Sequence, residues 1–152
     1  MKRWWILGAV GAAAAAMIGV TVVGMGGGEV RIPYGDRVTV EAGRGIYAEA
    51  CAACHGKTLE GQPNWRERLA NGRLPAPPHD ANGHTWHHPD AQLFEITKYG
   101  VAKFAPPDYQ TDMPGFEDKL SDSEILAALA FIKSTWPDAI QRRHDAMSAG
   151  AQ

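Results

Sequence analysis

Cys51-Ala52-Ala53-Cys54-His55 is the stretch on which the reading of this chain turns. Two thiols three residues apart lie on one side of a helical turn. A Cys-x-x-Cys pair alone fits a thioredoxin-like redox pair, half of a zinc site or a plain disulfide. The histidine directly after the second cysteine selects a different chemistry, because Cys-x-x-Cys-His is the attachment signature of haem c. The two thiols can add to the two vinyl groups of one porphyrin, and the next residue points its imidazole at the iron. A zinc site needs two further ligands at matching spacing, and a thioredoxin-like site needs a βαβ setting; neither is evident. A disulfide between Cys51 and Cys54 is the remaining alternative.

The rest of the chain agrees with one small globular unit built around that motif. Its 152 residues have room for one domain and an appendage. With 45% hydrophobic and 21% charged residues it is too apolar for disorder. A formal net charge of −2 argues against nucleic-acid binding, which calls for a basic face. Two cysteines are too few for a disulfide scaffold or a four-thiolate metal site, but they suffice for one haem.

The apolar residues are concentrated at the N-terminus. Residues 4–25 carry no charge and follow Lys2 and Arg3. At 1.5 Å per residue this run is about 33 Å long, enough to cross a bilayer core of about 30 Å. The two basic residues would stay in the cytoplasm, so everything after Gly28 is expected to be exported. Those two are the basic residues of 1–28, leaving 13 of the 15 Lys and Arg against 17 acids in the exported part. Ala14 and Ala16 offer a signal-cleavage site, but the apolar run continues through residues 17–23 beyond it. The expectation is therefore an uncleaved transmembrane helix over 1–28, in the bacterial inner membrane with the haem domain on the periplasmic side. A soluble periplasmic protein after signal cleavage is the alternative. Residues 29–42 read as a linker punctuated by Pro33 and Gly35. The alternation Arg37-Val38-Thr39-Val40 within it suggests an edge strand. Extended, the linker would reach about 45–50 Å; packed onto the domain, it would give no such freedom.

Over about residues 42–137 the sequence resembles a class I cytochrome c. The resemblance rests on the Cys51–His55 motif, on Gly43 and Tyr47 at four-residue steps before Cys51, and on Ala128 and Phe131 in a later helix. It implies an all-α fold, with helices wrapped around one covalently bound haem and the first and last helices of the domain crossing through those small and aromatic residues. The domain is assigned to 43–137. The resemblance also implies a distal methionine in a Met-Pro-x-Phe loop, which Met113-Pro114-Gly115-Phe116 matches. Met1, Met17 and Met25 lie in the N-terminal run and Met147 in the polar tail. A thioether opposite imidazole favours reduced iron, as an electron carrier requires. The resemblance further implies a proline carbonyl as acceptor for the second nitrogen of His55. Of Pro75-Ala76-Pro77-Pro78, Pro77 is the choice. Trp86 and Tyr99 either donate to haem propionates or cap the haem edge.

Local signals mark two helices of that domain. Pro89 and Asp90 open one that Gly100 ends, with Leu93, Phe94 and Ile96 on the face toward the haem. Ser121-Asp122-Ser123-Glu124 is a capping box before Ile125, Leu129 and Ile132 at helical spacing, and Trp136-Pro137 stops or kinks that helix. Residues 138–152 read as a polar tail that extends the helix and then frays.

His79, His84, His87 and His88 fall within ten residues, beside Asp80 and Asp90. Imidazoles so clustered suit zinc or copper. Gly83 and Pro89 prevent one regular helix there, so these histidines are expected to line the haem crevice or lie in solvent. The function expected is one-electron transfer by a single haem c with His55 and Met113 as axial ligands, with no substrate bond made or broken and therefore no enzyme activity. Expected partners are a quinol–cytochrome c reductase or a dehydrogenase as donor and a terminal oxidase as acceptor. Lys57, Lys98 and Lys103 would offer a basic rim. The other readings are a fixed haem subunit of a larger membrane oxidoreductase and a metal-handling or sensing protein using the histidine cluster.

Overall fold

The computed structural model describes residues 29–151, which are helical with no strand among them. The expected transmembrane helix lies outside these residues. Among those described, no helix is long and apolar enough to cross a membrane.

Helix α1, Arg37–Ala50, begins where an edge strand was expected. Two features override the four-residue alternation. Asp36 caps the helix by accepting from the Val38 amide, which satisfies an N–H that the first turn leaves orphaned. Among the described residues there is no strand for the segment to pair with. Val38 consequently faces solvent at 79% exposure, while Val40 packs against the core. Helix α2, Ala52–His55, follows after a bend at Cys51.

Helix α3, Asp90–Tyr99, starts and stops as its sequence signals predict, with Pro89 in the cap position and Gly100 beyond its end. Leu93 and Phe94 are buried and Ile96 is half-buried. Helix α4, Asp122–Ser134, carries both arms of the expected capping box: Ser121 Oγ accepts from the Glu124 amide and Glu124 accepts from the Ser121 amide. It crosses α1, and a Cβ built on Gly43 would overlap the Ala127 carbonyl. Beside that contact the Tyr47 and Phe131 rings meet with centroids 5.4 Å apart. Ile125, Leu129, Phe131 and Ile132 fill the core.

Both ends of the described chain are tied down. Residues 29–36 are not a free tether, since Ile32 is buried and its amide donates to Asp90 Oδ2 at 3.0 Å. Tyr34 donates its hydroxyl proton to Asp145 Oδ2 at 2.7 Å. The expected fraying tail is instead a separate helix, α5, Asp138–Gly150, with Pro137 at its cap. His144 and Ser148 on α5 are buried. These contacts join residues far apart in sequence, which is why composition alone suggested a linker and a tail.

Candidate haem site

The motif straddles the bend between α1 and α2. The Cys51 amide donates to Tyr47 O at 2.9 Å and the His55 amide to Cys51 O at 3.0 Å, so the turn carrying both thiols is continuous with α1. Cys51 is half-buried and Cys54 exposed, and the two are not joined as a disulfide. Burial, reinforced by Cys54, pushes the Cys51 thiol up to about 11. A redox-active cysteine pair needs the opposite, a thiol with lowered pKa. Cys51 therefore lacks the lowered pKa that a redox-active thiol uses.

His55 is buried at 7% exposure, and its Nδ1 lies 2.9 Å from the Pro77 carbonyl. A carbonyl can only accept, so Nδ1 carries the proton and Nε2 presents a lone pair suited to iron. Burial lowers the imidazole's pKa, against the Pro77 hydrogen bond that raises it, and keeps the ring in the neutral form that a metal requires. The proline loop reaches His55 because Gly61 lets it. Gly61 donates to His55 O at 2.8 Å and adopts φ +68°, and a Cβ there would overlap the Pro77–Pro78 peptide. Sequence reasoning did not single out Gly61; a glycine six residues after an axial histidine is too short a signal without the fold. Tyr47, assigned to packing, also donates its hydroxyl proton to Gly56 O at 2.8 Å and so braces the end of α2.

Met113 is half-buried in a loop anchored to the end of α3. The Phe116 and Glu117 amides donate to Lys98 O at 2.9 and 3.0 Å. Gly100, at φ +83°, lies so close to Pro114 and Gly115 that a side chain there would collide with their backbone. On the other flank Asp112 pairs with Arg73, and the Met113 amide donates to Thr111 Oγ1 at 3.1 Å. The methionine is thus carried on a stiff turn.

Trp86 and Tyr99 are both half-buried. The Trp86 N–H donates to Ala81 O at 3.3 Å, and its ring stacks on His87 at 3.8 Å. Lys103 Nζ sits 3.3 Å from the centroid of the Tyr99 ring, and Lys98 Nζ 5.6 Å from it. Lys57 is exposed near the motif.

Of the four clustered histidines, two meet each other, the His84 and His88 rings lying edge-on with centroids 5.5 Å apart. His79 stacks on His55, His84 on Trp65, His87 on Trp86, and His88 shares a hydrogen bond with Gln92. Among the described residues no group of three or more His, Cys, Asp or Glu is placed to hold a metal ion.

Paired thiols on one turn, a neutral imidazole pinned through Nδ1 and a braced methionine loop fit a covalently bound haem. A family model described as Cytochrome c matches residues 40–136. No curated protein and no solved structure matches the chain.

Proposed function

The chain belongs to the cytochrome c family, a haem-based electron carrier with haem c bound covalently, and on that basis we propose that it moves single electrons with His55 and Met113 as axial ligands. The observation that carries this reading is the buried, neutral His55 held by Pro77, together with Met113 on a loop fastened to α3. Cys51 and Cys54 hold the porphyrin, and the bound haem supplies a one-electron ferric/ferrous couple. His55 and Met113 would hold the iron from its two sides, so that no ligand position would stay open to a substrate, which suits a carrier of electrons. A thioether from Met113 would favour the ferrous state, and the loop that carries it is fastened to the end of α3.

The charge-free run over residues 4–25 behind Lys2 and Arg3 supports a membrane-held domain on the periplasmic side of a bacterial membrane. A quinol–cytochrome c reductase or a dehydrogenase would be the donor there and a terminal oxidase the acceptor.

The test is the visible spectrum of the ferric protein beside that of Met113→Ala. Wild type shows the weak far-red sulfur-to-iron band and the variant lacks it. A wild type without the band, or a variant that keeps it, overturns the ligand assignment.

A further inference from the structure

His79 is held through its amide, its carbonyl and its Nδ1. Its amide donates to Leu59 O at 2.8 Å, and its carbonyl accepts from Trp136 Nε1 at 2.8 Å. Its Nδ1 lies 2.7 Å from the hydroxyl of Thr85, a buried residue. The Tyr47 ring meets it edge-on with centroids 6.3 Å apart. Two prolines precede it, which restricts the backbone that delivers it. All this restraint places one flat surface: the His79 ring stacks on His55 with centroids 4.0 Å apart and planes 24° from parallel.

We propose that His79 is a positioning residue, whose fixed ring face sets the rotational angle of the His55 imidazole about its bond to the haem iron. The proposal rests on the reading of His55 as an axial ligand. The Pro77 carbonyl alone is a weak restraint on that angle, because acceptor geometry at a carbonyl is broad. A face-on ring contact is steeper, since turning either ring drives its edge into the other at close-packed distance. The angle of an axial imidazole plane splits the iron d orbitals that accept the transferred electron. Its setting therefore appears in the electronic spectrum of the ferric iron and in the reduction potential. Of the residues read as holding the haem, His79 contacts His55.

The experiment is low-temperature electron paramagnetic resonance of the full-length ferric holoprotein, with a potentiometric titration, for wild type, His79→Phe and His79→Leu. Phenylalanine keeps the flat face and loses the Thr85 bond; leucine keeps bulk and loses the face. The expected result is wild-type g values in His79→Phe, with displaced g values and a shifted midpoint potential in His79→Leu. Unchanged g values and potential in haem-loaded His79→Leu overturn the proposal, and so does a Phe variant displaced as far as the Leu variant. Should His79→Leu fail to load haem, His79→Asn decides, because it keeps a polar partner for Thr85 and lacks the ring face. Displaced g values are expected in it, and wild-type g values overturn the proposal. A wild type without low-spin, nitrogen-ligated ferric iron would instead remove the ligand reading itself, which separates the two failures.

Discussion

At Gly43 the missing side chain sets how closely two helices approach. A Cβ there would overlap the Ala127 carbonyl, whereas Gly45, two residues along the same helix, has nothing within 4 Å of its position. Gly-to-Ala in a helix normally stabilises by about 0.5–1 kcal/mol. Forcing an atom into a packed contact costs about 1–3 kcal/mol, so the sign should reverse between the two sites. Gly45→Ala is expected to raise the guanidinium unfolding midpoint of the holoprotein and Gly43→Ala to lower it. Equal and positive shifts would show that α4 moves aside at little cost. His55 raises the same theme in another form, since the motif that singles it out is five contiguous residues while its contacts come from Gly61, Pro77 and His79.

Helices α3, α4 and α5 meet at a buried ion cluster that no local pattern announces. Lys133 on α4 is 1% exposed, with Nζ 3.2 Å from Asp90 Oδ1 and 2.7 Å from Asp145 Oδ1. Its ammonium also lies 4.6 Å from the centroid of the Tyr34 ring. Asp90, in the first turn of α3, accepts the Ile32 amide as well, so one carboxylate joins the N-terminal segment to two helices. Lys133→Met keeps the apolar stem and removes the charge, leaving Asp90 buried without its cation. Breaking a buried pair in this way costs about 3–5 kcal/mol, far more than a surface pair at about 0–1 kcal/mol. Denaturant unfolding of Lys133→Met should show a loss of that larger size. A loss near 1 kcal/mol would mean that the Ile32 amide and the positive end of α3 satisfy Asp90 unaided. Lys133 lies in the last turn of α4, and α5 reaches it through Asp145 and through Gln141, which donates to its carbonyl.

For the molecule as a whole, the same junction gives stability a dependence on pH. His144 is fully buried, with Nε2 2.8 Å from the His88 carbonyl and Nδ1 3.4 Å from Asp90 Oδ1 without a hydrogen bond. Burial first, then the Lys133 ammonium, lower its pKa below 6.5, against the His88 carbonyl and the Asp90 and Asp145 carboxylates, which raise it. The unfolded chain then binds more protons than the native one between the lowered value and 6.5. The contribution of His144 is accordingly complete above about pH 6.5 and is lost as pH falls toward the native value. His144→Gln can still donate to the His88 carbonyl and does not titrate. Unfolding midpoints measured from pH 7.5 to 5 should fall less steeply in the variant than in wild type. The difference isolates His144, because His55, His79 and His84, also lowered by burial, are common to both. Parallel profiles would exclude the effect. What could be read directly from the chain was whatever depends on neighbours in sequence: the Cys51–His55 motif, the Ser121 capping box, and the start of α3 at Pro89 and its stop at Gly100. These rest on backbone geometry and covalent spacing, which a few contiguous residues dictate. Pro77 beside His55 was reachable through family resemblance. The first turn of α1, read as a strand, shows the limit of local alternation, because a strand exists through its pairing and a helix needs only its own hydrogen bonds and a cap. The seating of Ile32 on Asp90, of Trp136 on the His79 carbonyl and of His144 on the His88 carbonyl came from packing, across separations of 58, 57 and 56 residues. Such contacts form where burial leaves a polar group needing a partner, and the residue that answers is chosen by proximity in space, which no spacing along the chain encodes.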